Sequence, residues 1–186
     1  MSSRIGICSF AGGVALFLWG FLSWGVLDFR MNGLQPFKDN DAVTQVLEEN
    51  TDGHGIYVHP RNQEADGAMK GPFAYLIFRP GEMPSMGSAM LRGFLIYCIA
   101  AGFVTNLLVQ SKVETYGGRI LYCVVVCLAG GFLIRMSDWT WWHYPTSYIA
   151  MEMVNLVISG VILGLVIGKL INPKDKSQKP QSSLAK

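Results

Sequence analysis

An all-α membrane protein is the fold class this sequence predicts: four transmembrane helices with a small αββ extramembrane insertion between helices 1 and 2. Three observations predict it. The apolar residues, 51% of 186, gather in four blocks instead of spreading through the chain. Charged residues make up 15%, where soluble domains carry about a quarter, and mean hydropathy is +0.31. Nine of the thirteen acids fall in one hydrophilic stretch between the first and second blocks.

Residues 5–27 (IGICSFAGGVALFLWGFLSWGVL) hold no charge and would reach about 34 Å as a helix. Arg4 precedes them as in a signal peptide. The apolar part is too long for one, however, and no small-x-small cleavage site follows, so a retained first span is expected. Trp19 and Trp24 stand near its far end, where indole rings favour the headgroup boundary.

Residues 28–89 form the insertion. From 28 to 91, nine acids (Asp28, Asp39, Asp41, Glu48, Glu49, Asp52, Glu64, Asp66, Glu82) face five bases (Arg30, Lys38, Arg61, Lys70, Arg79), a net −4. Asp39 or Asn40 suits the cap of a short helix carrying Val43, Val46 and Leu47, ending around 50–53. GIYVH (55–59) and FAYLIFR (73–79) read as two strands, each closed by a proline. The polar, turn-rich PRNQEADGAMKG between them reads as a mobile loop. Such a unit is small for independent stability and should rest on the membrane helices or on a partner.

The second span is expected at 90–109, with Arg92 at its start. The third, at 118–136, has an apolar core of only 15 residues (120–134) between Arg119 and Arg135. That length also suits a buried helix, but snorkelling arginines favour a span. The fourth, 148–171, lies in SYIAMEMVNLVISGVILGLVIGKLI. Residues 172–186 are polar and lysine-rich and read as a disordered cytoplasmic tail. Lysine and arginine counts near span ends put both termini in the cytoplasm and the insertion in the periplasm. Arg30 and Arg135 stand on the acidic side against that rule.

Three groups of residues are candidates for function. On a helical wheel Tyr148, Glu152, Asn155 and Ser159 share one narrow face of the last span. A lone carboxylate inside a bilayer costs several kcal/mol, so Glu152 needs a partner, and Arg92 and Arg135 are the nearest cations by depth. The cluster Arg92, Arg135, Tyr148, Glu152 and Asn155 reads as a pocket for a lipid headgroup, quinone or ion, or as an interhelical salt bridge. The aromatic loop Trp139, Trp141, Trp142, His143 and Tyr144 reads as an interfacial belt or a binding platform. Gly160, Gly164 and Gly168 offer a face for close helix packing, within the chain, against a second copy or against another protein.

Other chemistry has little support. The four cysteines, Cys8, Cys98, Cys123 and Cys127, lie inside apolar runs, which disfavours disulfide or thiol-oxidase chemistry. His54, His59 and His143 are scattered without metal-ligand spacing, and no phosphate loop or nucleophile motif is present. Neither metal nor other cofactor is expected, nor nucleic acid as a partner.

The order of FLWGFLSWGVL, a DAVTQVLEEN helix, GIYVHP, GPFAYLIFRPG, an SMG turn and three further spans resembles an uncharacterised family of small four-span bacterial inner membrane proteins. The resemblance covers residues 5 to about 171. It implies a bacterial inner membrane setting and supplies no activity or site residues. The role expected from the whole reading is a non-catalytic scaffold or accessory subunit of a membrane complex. It would dock through the insertion and the glycine face onto another membrane protein or a second copy. The alternative is a lipid, quinone or small-molecule binding protein, an enzyme or carrier, that uses the polar cluster.

Overall fold

A computed structural model describes residues 2–60 and 71–171. The predicted mobile loop, apart from its ends, and the predicted tail lie outside the described residues. The fold is mostly helical, with four helices long and apolar enough to cross a membrane and one two-stranded sheet. In order these are α1 (Ser2–Gly25), a 3-10 turn (Met31–Gly33), α2 (Asn40–Asn50), β1 (Gly55–His59), β2 (Ala74–Phe78), α3 (Met86–Gln110), α4 (Tyr116–Trp141) and α5 (Thr146–Leu170). They divide into a helical unit, up to Gly33 and from Met86 onward, and a smaller unit, Leu34–Ser85. The boundary falls later than the expected residue 28, because residues 28–33 belong with the helices.

In the helical unit α1 packs along α3, α5 along α4, and α1 against α5, while α3 and α4 scarcely touch. Glycines set the two closest crossings. A Cβ on Gly13 would lie 2.7 Å from Cys98 Cα, and one on Gly102 would lie 3.0 Å from Ser9 Oγ. Small residues four apart on both α1 and α3 therefore let the two backbones approach. On α5, a Cβ at Gly160 or Gly164 would lie 2.6 Å from the Cα of Val124 or Ile120 of α4. Burial is uneven along the bundle. The apolar core, Cys8, Leu16, Ala101, Val104, Leu108, Cys123, Leu163 and Ile167, lies mostly in the half nearer the start of α1 and the end of α5. The other half buries Ser23, Glu152 and Asn155. The outer surface, with residues such as Phe10, Ile96, Phe103 and Leu133, is apolar and exposed. That surface is compatible with a multi-pass membrane protein.

The third span is longer than its apolar core suggests. α4 has 26 residues and runs through both Arg119 and Arg135. It starts at Thr115, whose Oγ1 accepts from Gly118 N at 3.1 Å, a side-chain cap. Arg119 is no snorkelling flank. It is buried, and donates from Nη1 to the carbonyls of Gly168 (2.8 Å) and Ile171 (2.6 Å) and from Nη2 to that of Glu114 (2.9 Å). A cation on the last carbonyls of α5 satisfies acceptors that a helix end leaves open and complements its dipole. At the far end the helix consumes half the expected aromatic loop, since Trp139 and Trp141 lie in its last turn and Trp142 caps it.

In the smaller unit Asp39 caps α2, its side chain accepting from Ala42 N at 3.0 Å. Gly53, at φ +119°, turns the chain from α2 toward β1, a conformation that favours glycine. β1 and β2 pair antiparallel in the register Gly55↔Phe78, Ile56↔Ile77, Tyr57↔Leu76, Val58↔Tyr75 and His59↔Ala74. β1 coincides with the predicted strand, and β2 is one residue shorter at each end. None of the unit's described residues is buried.

Candidate functional site

Glu152 organises the polar half of the helical unit. It lies in the second turn of α5 with 4% of its surface exposed. Its Oε1 accepts from Arg30 Nη2 at 2.7 Å and from Arg30 Nε at 3.0 Å. Its Oε2 faces Arg135 Nε at 3.9 Å, an ion pair beyond hydrogen-bond range. Arg135 Nη1 in turn donates to Asp138 Oδ2 at 2.9 Å, three residues on along α4. Two guanidiniums and two carboxylates thus close a formally neutral cluster. Burying any one of these charges alone would cost several kcal/mol, and the pairing offsets that cost.

Arg30 reaches Glu152 because the chain folds back after α1. Asp28 takes a left-handed φ of 51°, Asn32 N donates to Asp28 O at 2.9 Å, and Gly33 N to Arg30 O at 3.3 Å. The turn lies against α5, where a Cβ on Gly33 would come within 3.1 Å of Tyr148 and 3.2 Å of Met151. The Arg30 guanidinium carbon also sits 4.4 Å from the ring centroid of Trp24, within range for a cation–π contact. One turn further along α5, Asn155 Oδ1 accepts from Trp19 Nε1 at 2.9 Å. The Trp19 ring lies 6.1 Å from that of Phe29. Glu152 and Asn155 therefore hold both the far half of α1 and the turn after it.

Of the predicted cluster, the structure brings Arg135, Glu152 and Asn155 together, with Tyr148 against the turn and 5.6 Å from the Tyr144 ring. Arg92 is elsewhere. It is exposed on α3 and donates to the carbonyl of Ser88 at 3.2 Å and to its hydroxyl at 3.4 Å. Four members were missed: Arg30, Trp19, Trp24 and Asp138. A signal for one of them was present, because Arg30 and Arg135 are the two cations that offend the charge rule, and both face Glu152. Asp138, at i+3 from Arg135, was within reach of helix spacing alone.

The aromatic residues divide. Trp139 Nε1 donates to Thr146 Oγ1 at 3.1 Å, tying the end of α4 to the start of α5. Trp141 is exposed, and His143 takes a left-handed φ of 54° in the turn between the helices. The glycine face is occupied within the chain, with Gly160 and Gly164 on α4 and Gly168 beside Arg119 and Tyr116. Among the described residues no three His, Cys, Asp or Glu side chains gather as metal ligands.

The cluster acts as a lock between elements. Arg30 engages Glu152 and Arg135 engages Asp138, so each carboxylate has a guanidinium partner. The network ties α4, α5 and the turn after α1 at one end of the bundle, and Arg119 ties α4 to α5 at the other. No family model, curated protein or solved structure matches the chain.

Proposed function

We propose that the protein is a non-catalytic multi-pass protein of the bacterial inner membrane, a scaffold or accessory subunit that docks another protein through residues 34–85. In this reading both termini are cytoplasmic and the αββ unit is periplasmic, as the lysine and arginine distribution supports. One observation carries the docking role. The αββ unit has no buried residue among those described, yet Ile56 and Ile77, opposite each other on the ribbon, are 63% and 69% exposed. A two-stranded ribbon is marginal in water, and apolar side chains left open on such a ribbon invite a partner. The glycine face is not offered for that role, because α4 covers it. The lipid or quinone reading has less support, because Glu152 is engaged on both oxygens and Arg92 bonds within its own helix.

Photo-crosslinking amino acids at positions 56 and 77, introduced in cells, test this proposal against a control at Leu133 on the outer surface of α4. The expected result is a discrete protein adduct at 56 and 77 and none at 133. Absence of any protein adduct at 56 and 77, with a stoichiometric small molecule retained on the purified protein in native mass spectrometry, would favour the binding-protein reading instead.

A further inference from the structure

The ribbon's two edges differ in what flanks them. Among the described residues the sheet has two strands, so β1 and β2 each carry one edge with no described strand beside it. Neither GIYVH nor AYLIF contains a lysine, arginine, acid or proline, the residues that usually blunt such edges. Side chains on both faces are apolar, with Ile56, Val58, Tyr75 and Ile77 on one and Tyr57 and Leu76 on the other. A strand added at either edge would find side-chain contacts above and below it. The chain running into β1 is acidic: Asp39, Asp41, Glu48, Glu49 and Asp52 against Lys38 alone, with Glu48, Glu49 and Asp52 exposed within seven residues of Gly55. β2 instead runs out to one base and one acid, Arg79 and Glu82.

We infer that the free edge of β1 receives an extended segment of another protein bearing lysine or arginine, which adds to the ribbon as a third strand. Backbone hydrogen bonds along β1 supply affinity, alternate apolar side chains seat beside Ile56 and Val58, and the basic residues meet the acids at the end of α2. The charge argument disfavours other occupants. A second copy would bring the same acidic approach to its own β1, and an anionic lipid surface would meet a unit of like sign. This chain's own lysine-rich residues 172–186 are separated from the ribbon by three spans, an odd number, and so face the opposite side of the membrane in the proposed topology. The inference rests on the accessory-subunit reading and gives that reading its partner chemistry.

The test uses the full-length protein in phosphatidylcholine nanodiscs. The probes are three fluorescent peptides: one alternating valine and lysine, one alternating valine and glutamate, and the valine–lysine peptide N-methylated on alternate residues. The valine–lysine peptide should bind at least about tenfold more tightly than the glutamate peptide, and N-methylation should cost a similar factor by removing strand hydrogen bonds. The charge reversal Glu48→Lys, Glu49→Lys, Asp52→Lys, at exposed positions, should erase the preference for lysine. Hydrogen exchange should slow at β1 amides and stay unchanged at β2. Equal binding of the lysine and glutamate peptides, undiminished binding after N-methylation, or protection confined to β2 would each overturn the inference. If photo-crosslinks at 56 and 77 still capture a protein in cells, the accessory role survives and only the basic-strand chemistry falls. If they capture none, both fall.

Discussion

Glu152 sits where a carboxylate is costly and is held by cations from two other parts of the chain. Its environment sets what substitution should do. Glu152→Gln leaves Arg30 and Arg135 facing a neutral amide in a buried site. The expected loss is about 3–5 kcal/mol, the usual cost of breaking a buried pair from one side, read as a shift in detergent unfolding. Arg30→Met should cost a similar amount. The double change Arg30→Met, Glu152→Met removes both charges together and should cost less than either single change. If the double variant loses as much as the two singles summed, the residues are uncoupled and the lock has been misread. Trp19→Phe, which removes only the donor to Asn155, should cost about 1 kcal/mol. At this scale the need for a partner to Glu152 was legible, because an ionised group in an apolar span cannot stand alone. One partner, Arg135, was legible by depth, but Arg30, which makes the hydrogen bonds, was not. Arg30 and Glu152 are 122 residues apart, and the turn that joins them depends on a left-handed Asp28 that residue identity does not demand.

Helix pairing is where the glycines act. Gly160 and Gly164 meet the α4 backbone, while a Cβ at Gly168 would find Arg119 and Tyr116 side chains at an ordinary 3.4 Å. Gly160→Ala and Gly164→Ala should each cost about 1–3 kcal/mol by forcing the helices apart, and Gly168→Ala should cost clearly less. Equal losses at all three positions would sink the account of this crossing. The glycine spacing on α5 was legible as a packing face because removing side chains every fourth residue has one steric use. The matching pair on α1 and α3, Ser9 with Gly13 and Cys98 with Gly102, was harder to see, since serine and cysteine at those positions read as neutral filler. α4 taught a related lesson. Its two arginines seemed to bound a short span, yet both turn inward onto acceptors, and the helix continues past each. Arg119→Lys keeps the charge but presents one ammonium in place of the guanidinium fork that reaches four carbonyls. Faster hydrogen exchange in the last turn of α5 is the expected result. Unchanged exchange there would remove Arg119 as its cap.

Across the helical unit the chain order α1, α3, α4, α5 becomes the spatial order α3, α1, α5, α4, with an apolar core at one end and a charged lock at the other. Four helices are long and apolar enough to cross a membrane, and four crossings would return both ends of the described chain to one side. Reporter fusions after residue 171 and before residue 2 should report the same compartment, and a fusion within the αββ unit the opposite one. Opposite compartments for the two ends would refute the four-span topology.

The sequence by itself determined the number of apolar helices, the place of the αββ insertion, the extent of β1, a helix cap at Asp39 or Asn40 and the use of the α5 glycines as a packing face. These follow from run length, period and local stereochemistry, which act over a few residues and need no knowledge of neighbours. Only the tertiary structure decided that Arg30 and Arg135 hold Glu152 while Arg92 does not, that Arg119 caps α5, and that α4 takes the glycine face. Depth in a bilayer narrows which charges can meet, but rotation about each helix axis and the path of a short turn choose among them, and packing sets those.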